Sequence, residues 1–158
     1  MKVYVANGLF SIGDRYVNAA IAKALRAADD TLELYVPQEN DAINDKEAYA
    51  NSTQIAQADM EALRNSDVLV AVIDGVEIDS GVAAEIGAFS MLNRPIVALC
   101  SDVRQQGTSN VQKIEALQQH ALENQFIYRN LFVVGLIKER GVIVSTIEEV
   151  VEAVCAQR

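Results

Sequence analysis

Two cysteines and one histidine are all that 158 residues hold of the commonest zinc ligands. Cys100 and Cys155 stand far apart without metal-type spacing, and one His cannot seed a His-rich site. Reduced thiols, no zinc and no other cofactor are therefore expected. Positive charge is scarce as well. Thirteen Lys and Arg face 22 Asp and Glu, and the net charge of −9 argues against a nucleic-acid backbone or an anionic membrane as partner. Long apolar runs are missing: the longest, Val68 to Ile73, is far too short to cross a bilayer. The N-terminal Met-Lys-Val-Tyr-Val-Ala-Asn has no long apolar core and no cleavage site, so it reads as a strand and the chain is expected to stay in the cytoplasm. Linkers, repeats and low-complexity tracts are absent too. Gly8 and Gly13 fit neither G-x-G-x-x-G nor a Walker loop, which leaves a bound dinucleotide or nucleoside triphosphate unsupported. The first apolar run ends in Ala6-Asn7, without the acidic pair that holds magnesium in a phosphoreceiver.

What is present is an alternation of short apolar runs with longer helical patterns. A hydrophobic content of 51% excludes disorder, and the length suits one domain over residues 1–158. Strands are expected at Lys2–Ala6, Leu32–Val36, Asp67–Ile73, Pro95–Cys100 and Gly141–Val144. Helices are expected at Asp14–Asp29 (Val17, Ala20, Ile21, Ala24 and Leu25 inward), from about Asp45 to Asn65, and at Gly81–Leu92, Val111–Leu122 and Thr146–Ala156. Ser101–Asn110 reads as a polar loop. Phe126–Arg140 is ambiguous, its Leu131, Val134, Leu136 and Ile137 fitting a buried helix slightly better than a strand. The β-branched run at 67–73 suits a central parallel strand covered on both faces. This pattern implies a doubly wound α/β fold: a flavodoxin-like, five-stranded parallel sheet in order 2-1-3-4-5 with helices on both faces. Such sheets bind ligands beyond the carboxyl ends of strands one and three, where the loops Asn7–Arg15 and Asp74–Ser80 meet.

The second of those loops leads into Asp79-Ser-Gly-Val-Ala-Ala-Glu85-Ile-Gly87. Glu85 falls on the apolar stripe of the following helix, with Val82, Ala88 and Phe89. The ordinary fate of such a Glu is solvent or an arginine partner. An ionised carboxylate facing a core is costly unless something pairs with it or uses it, which makes Glu85 a candidate nucleophile. Asp59 repeats the pattern between Ile55 and Leu63, and mid-helix it has little character as a cap. Two inward carboxylates on separate helices suggest a shared polar pocket, the arrangement of a retaining glycosyl-transfer site. Asp79 and Ser80 could simply cap the helix, Asp74-Gly75 could be a plain turn, and Tyr4 a core aromatic.

Several elements resemble the nucleoside 2-deoxyribosyltransferases: Val-Tyr-Val-Ala-Asn-Gly-Leu-Phe (3–10), Tyr-Val-Pro-Gln-Glu-Asn (35–40), Asp59 ahead of Asp67, Asp79 with Glu85 and Gly87, and Asn130-Leu131-Phe132. The resemblance implies that Glu85 attacks C1′ of a 2′-deoxynucleoside and that a second base then displaces it with retention. It implies that Tyr4 orients the nucleophile and that Asp59 transfers a proton to the leaving base. Asp79 would hold sugar hydroxyls, and Phe10 would line the base pocket. Gly8, Phe132 and Asp41, which stands where some members carry a base-contacting glutamine, count among the substrate-binding residues. Asn130 would serve a neighbouring subunit's site in a homo-oligomer, a dimer or hexamer. The implied substrates are small 2′-deoxynucleosides and free nucleobases, within nucleoside salvage.

Two other readings compete. One is an N-glycosidase of 2′-deoxynucleoside 5′-monophosphates, which needs a phosphate cradle after the first strand. That loop offers Ser11, Gly13 and Arg15 but also apolar Leu9, Phe10 and Ile12. The other is a non-catalytic nucleoside-sensing module, in which Glu85 would have no chemistry to perform.

Overall fold

The computed structural model describes residues 1–40 and 50–158. Strands β1 (Lys2–Ala6), β2 (Glu33–Tyr35), β3 (Val68–Val72), β4 (Ile96–Leu99) and β5 (Gly141–Val144) form one sheet in the order 2-1-3-4-5, all neighbours parallel. Six α-helices lie among the described residues: α1 (Ile12–Ala28), α2 (Ser52–Asn65), α3 (Ser80–Ser90), α4 (Val111–Gln119), α5 (Leu131–Arg140) and α6 (Ile147–Cys155). The strand order is the one the sequence pattern implies, and it puts the topological switch between β1 and β3. The part of the expected second helix before residue 50, and Asp41, lie outside the described residues.

Strand parity splits the core in two. Val3, Val5, Val68, Val70 and Val97 face α1 and α6, packing on Ile21, Leu25, Val150 and Val154. Tyr4, Ala6, Leu69, Ala71 and Ile96 face the other side, against Leu63 of α2, Ile86 and Phe89 of α3 and Ile137 of α5. Coverage on both faces explains why β3 and β4 are uninterrupted apolar runs.

Local signals set the helix ends. Ser11 caps α1 by accepting the Asp14 N–H at 3.0 Å, Asn51 and Thr146 form capping boxes with Gln54 and Glu149, and Asp79 and Asn130 cap α3 and α5. Phe126–Arg140 resolves into a loop and a helix, with β5 following at once. Within that helix Val133 and Ile137 are buried, whereas Leu131 is exposed. At Gly141 an added Cβ would lie 1.8 Å from the Ile96 carbonyl oxygen, so only glycine admits the approach of β5 to β4.

The inward face of α1 differs from the apolar stripe. Ile21 and Leu25 are buried as expected, but Ala20 is exposed and Asn18 and Ala22 take the remaining interior places. Asn18 is buried because three partners satisfy it. Its Oδ1 accepts from Asn7 Nδ2 at 2.9 Å, and its Nδ2 donates to the Gly8 carbonyl and to Gln38 Oε1, both at 3.0 Å. The side chain thereby ties the loop after β1 to the 3-10 turn Pro37–Glu39 after β2.

Candidate functional site

Tyr4 lies on the α2–α3 face of β1 with no solvent exposure, and its hydroxyl donates to Glu85 Oε1 at 2.5 Å. Glu85 reaches it because Asp79 fixes the start of α3, its Oδ1 accepting from the N–H groups of Gly81 (2.8 Å) and Val82 (3.1 Å). From that start Val82, Ile86 and Phe89 turn inward, and Glu85 stands at the edge of their stripe facing α2. A groove of about 380 Å³ opens there, with Asp59 and Glu85 set among Ile55, Met60, Ala84 and Ala88.

The electrostatics follow from this setting. Burial pushes the Glu85 carboxyl up to about 7, opposed by the Tyr4 hydrogen bond and reinforced by the charges of Asp59 and Asp79. Burial, then the neighbouring Glu85, holds the Tyr4 hydroxyl far above its ordinary value, so it remains a donor. Asp59 is also raised by burial, against the pull of hydrogen bonds from Tyr35 and Tyr4. Tyr35 is the residue the sequence reading left without a role. Its hydroxyl faces Asp59 Oδ1 at 3.4 Å and accepts from Asn40 Nδ2 at 3.2 Å. Its ring lies 5.0 Å from that of Tyr4, its register partner across β1 and β2. Parity was the available signal: side chains at paired positions of adjacent parallel strands share a face. The arrangement offers an oriented carboxylate in an apolar groove beside a second carboxyl group inclined to hold a proton. Among the described residues no three His, Cys, Asp or Glu side chains converge as metal ligands.

The family of nucleoside 2-deoxyribosyltransferases matches residues 3–143. The chain belongs to that family. A conserved protein from Enterococcus faecalis V583 is 50% identical to this deoxyribosyltransferase-family chain, covering 100% of it and 99% of its own length with a TM-score of 0.93. A 2-deoxyribosyltransferase from Bacillus psychrosaccharolyticus shares the fold at 18% identity and a TM-score of 0.66, covering 95% of this chain and 90% of its own. The CMP N-glycosidase BcmB from Clostridium botulinum shares it more loosely, at 15% identity and a TM-score of 0.51 with 100% of both chains covered. No curated protein matches.

In this deoxyribosyltransferase-family chain Asn130 stands apart from the Tyr4–Glu85 pair. Asn130 accepts the Phe132 and Val133 N–H groups at 3.0 and 3.2 Å, and it lines a different groove, reached from Ala83 on the α5 side of α3. Phe132 and Phe10 are 75% and 86% exposed. The Gly8 carbonyl is held by Asn18, and a Cβ at Gly8 would meet the Asp14 carboxylate at 2.8 Å. No helix among the described residues is long and apolar enough to cross a membrane.

Proposed function

We propose that this chain is a nucleoside 2-deoxyribosyltransferase that works through a covalent ester on Glu85. The observation that carries the reading is the 2.5 Å hydrogen bond from the buried Tyr4 hydroxyl to Glu85 Oε1. It holds one carboxylate oxygen and leaves Oε2 to attack C1′ of the bound nucleoside. The C1′–N bond breaks with its electron pair on the departing base, and Asp59, whose proton affinity burial raises, passes on the proton that neutralises it. A second base then attacks C1′ from the face the first one left. The C1′–O bond breaks, Glu85 regains its charge, and Asp59 takes up the proton lost by the incoming base. Two displacements give retention. A 2′-deoxy centre lacks the electron-withdrawing hydroxyl that would oppose positive charge at C1′, so one carboxylate and base protonation suffice.

The same reading assigns Asp79 to sugar hydroxyls and makes the working unit a homo-oligomer in which Asn130 completes a neighbour's site. Its place on the far side of α3 from Glu85, flanked by exposed Tyr128, Leu131 and Phe132, supports that assignment. A nucleotide substrate is less well served. The Ser11 hydroxyl donates to Asp14 Oδ2 at 2.6 Å, and that carboxylate sits under Gly8, where a phosphate cradle would need positive charge.

Chromatography of thymidine or deoxyinosine incubated with adenine, beside a Glu85→Ala control, tests the reaction. New deoxyadenosine that requires Glu85 is the expected result. Free base and deoxyribose without a new nucleoside would mean a hydrolase. No turnover of nucleosides or deoxynucleotides would leave a sensing module. Mixing inactive Glu85→Ala with Asn130→Ala should restore part of the activity, since a mixed oligomer would contain intact sites. No restoration would place Asn130 outside the neighbour's site.

A further inference from the structure

Each of the two carboxyl groups in the α2–α3 groove faces a tyrosine hydroxyl, and only the Tyr4–Glu85 pair has so far been given a role. Tyr35, whose ring lies 5.0 Å from that of Tyr4, faces Asp59 Oδ1 at 3.4 Å. Asn40 fixes the direction of that bond, because its Nδ2 donates to the Tyr35 oxygen at 3.2 Å. A phenol has a single proton to give. With an N–H already aimed at its oxygen, Tyr35 turns that proton to Asp59. Burial, opposed by the Asn40 bond and joined by the Asp59 and Glu85 carboxylates, raises the Tyr35 hydroxyl above its ordinary value, so it stays a donor.

Asp59 Oδ1 is therefore an acceptor in either protonation state, and a proton held by Asp59 resides on Oδ2. At 3.4 Å the bond is long in the resting chain. It strengthens once Asp59 has given its proton away, because hydrogen bonds to an ionised acceptor are shorter and stronger. Help that grows along the reaction lowers the barrier, whereas help already complete in the bound substrate does not. We infer that Tyr35 is a positioning residue for the departing base: it reserves Asp59 Oδ2 for the proton and stabilises the carboxylate left behind. This rests on the transferase reading above and adds to it a residue that acts through Asp59.

Single-turnover release of base, with the chain in excess and no acceptor present, tests this on two substrates. 2′-Deoxyinosine requires a proton on the departing hypoxanthine. 7-Methyl-2′-deoxyguanosine requires none, since its cationic base leaves neutral when the C1′–N bond breaks. Tyr35→Phe keeps the ring against Tyr4 and should slow hypoxanthine release roughly tenfold, but 7-methylguanine release by no more than about twofold. Asp59→Asn should show the same selectivity with a larger loss, about 100-fold or more. Joining Tyr35→Phe to Asp59→Asn should add nothing further, since the two act as one unit. Equal slowing of both substrates by Tyr35→Phe, or a further loss on top of Asp59→Asn, overturns the inference and leaves Tyr35 a packing role. Selectivity in Asp59→Asn with no effect of Tyr35→Phe overturns the inference alone. No base release by the natural chain, or no selectivity in Asp59→Asn, sinks the proposed mechanism and the inference with it.

Discussion

Replacing Tyr4 by Phe removes one oxygen from the site and nothing from the core packing, since the ring keeps its place against Tyr35 and the α2–α3 face. What is lost is the bond to Glu85 Oε1. That bond is the chief influence holding the Glu85 carboxyl down, while burial and the nearby Asp59 and Asp79 charges push it up to about 7. A hydrogen bond to a charged group contributes about 1.5–3 kcal/mol, and about 1.4 kcal/mol corresponds to one pH unit. Glu85 in Tyr4→Phe should therefore titrate roughly one to two units higher. The nucleophile must be ionised, so activity rises with pH as Glu85 loses its proton, and the acid limb of kcat/KM moves up by the same amount. At pH 6 the variant should be slower by about 10- to 100-fold from titration alone, with the gap narrowing above pH 9. Initial rates of base exchange from pH 5 to 9.5, alongside carbon NMR of labelled glutamate, measure both effects. An unmoved limb, or the same loss at every pH, would refute the electrostatic role and leave Tyr4 with orientation alone.

Glu85→Gln should stabilise the protein at neutral to alkaline pH while abolishing turnover. Because the folded carboxyl titrates near 7 rather than at its ordinary 4.5, the native state holds the proton longer and stability falls as pH rises through that window. Gln removes the buried charge, and at pH 8 the gain is about 1–3 kcal/mol, or several degrees in melting temperature, with little change at pH 4. Equal melting shifts at both pH values would sink this. Gly141→Ala should cost about 1–3 kcal/mol by forcing β5 off β4, seen as a lower urea midpoint; an unchanged midpoint would mean that the strands part freely. Asn18→Ala strands the Gly8 carbonyl and the Asn7 and Gln38 amides, so about 1–3 kcal/mol of stability and faster hydrogen exchange in both tied loops are expected. Unaltered exchange would show the loops to be held by other means.

The fold was legible because its central strands advertise themselves. A six-residue apolar, β-branched run such as Val68–Ile73 has few homes other than a sheet covered on both faces, and the alternation around it leaves little choice of topology. Helical spacing likewise brought Asp59 and Glu85 to a common groove. It failed where burial is set by partners rather than polarity. Asn18 was passed over as a polar residue, and Ala20 was taken inward in its place, because the three bonds that admit Asn18 to the interior come from residues of two distant loops. Leu131 was misjudged for the same class of reason: it lies on the first turn of α5, beyond the reach of the core that claims Ile137. Tyr35 was missed because its partner Tyr4 lies in another strand, and only the register reveals that they share a face.

Tyr4 is aimed by a strand and not by a loop. β1 is paired with β2 on one side and β3 on the other, and a slip of one position would turn Tyr4 to the α1–α6 side. Its own half of the alignment with Glu85 is thus set by strand pairing and not by the rim loops. The segment after β1 supplies neither partner of the Tyr4–Glu85 bond, so changes there that keep the Asn18 ties and the Ser11 cap should leave the pair in place. Libraries that seek new ligand preferences should vary the rim segments and leave the sheet untouched.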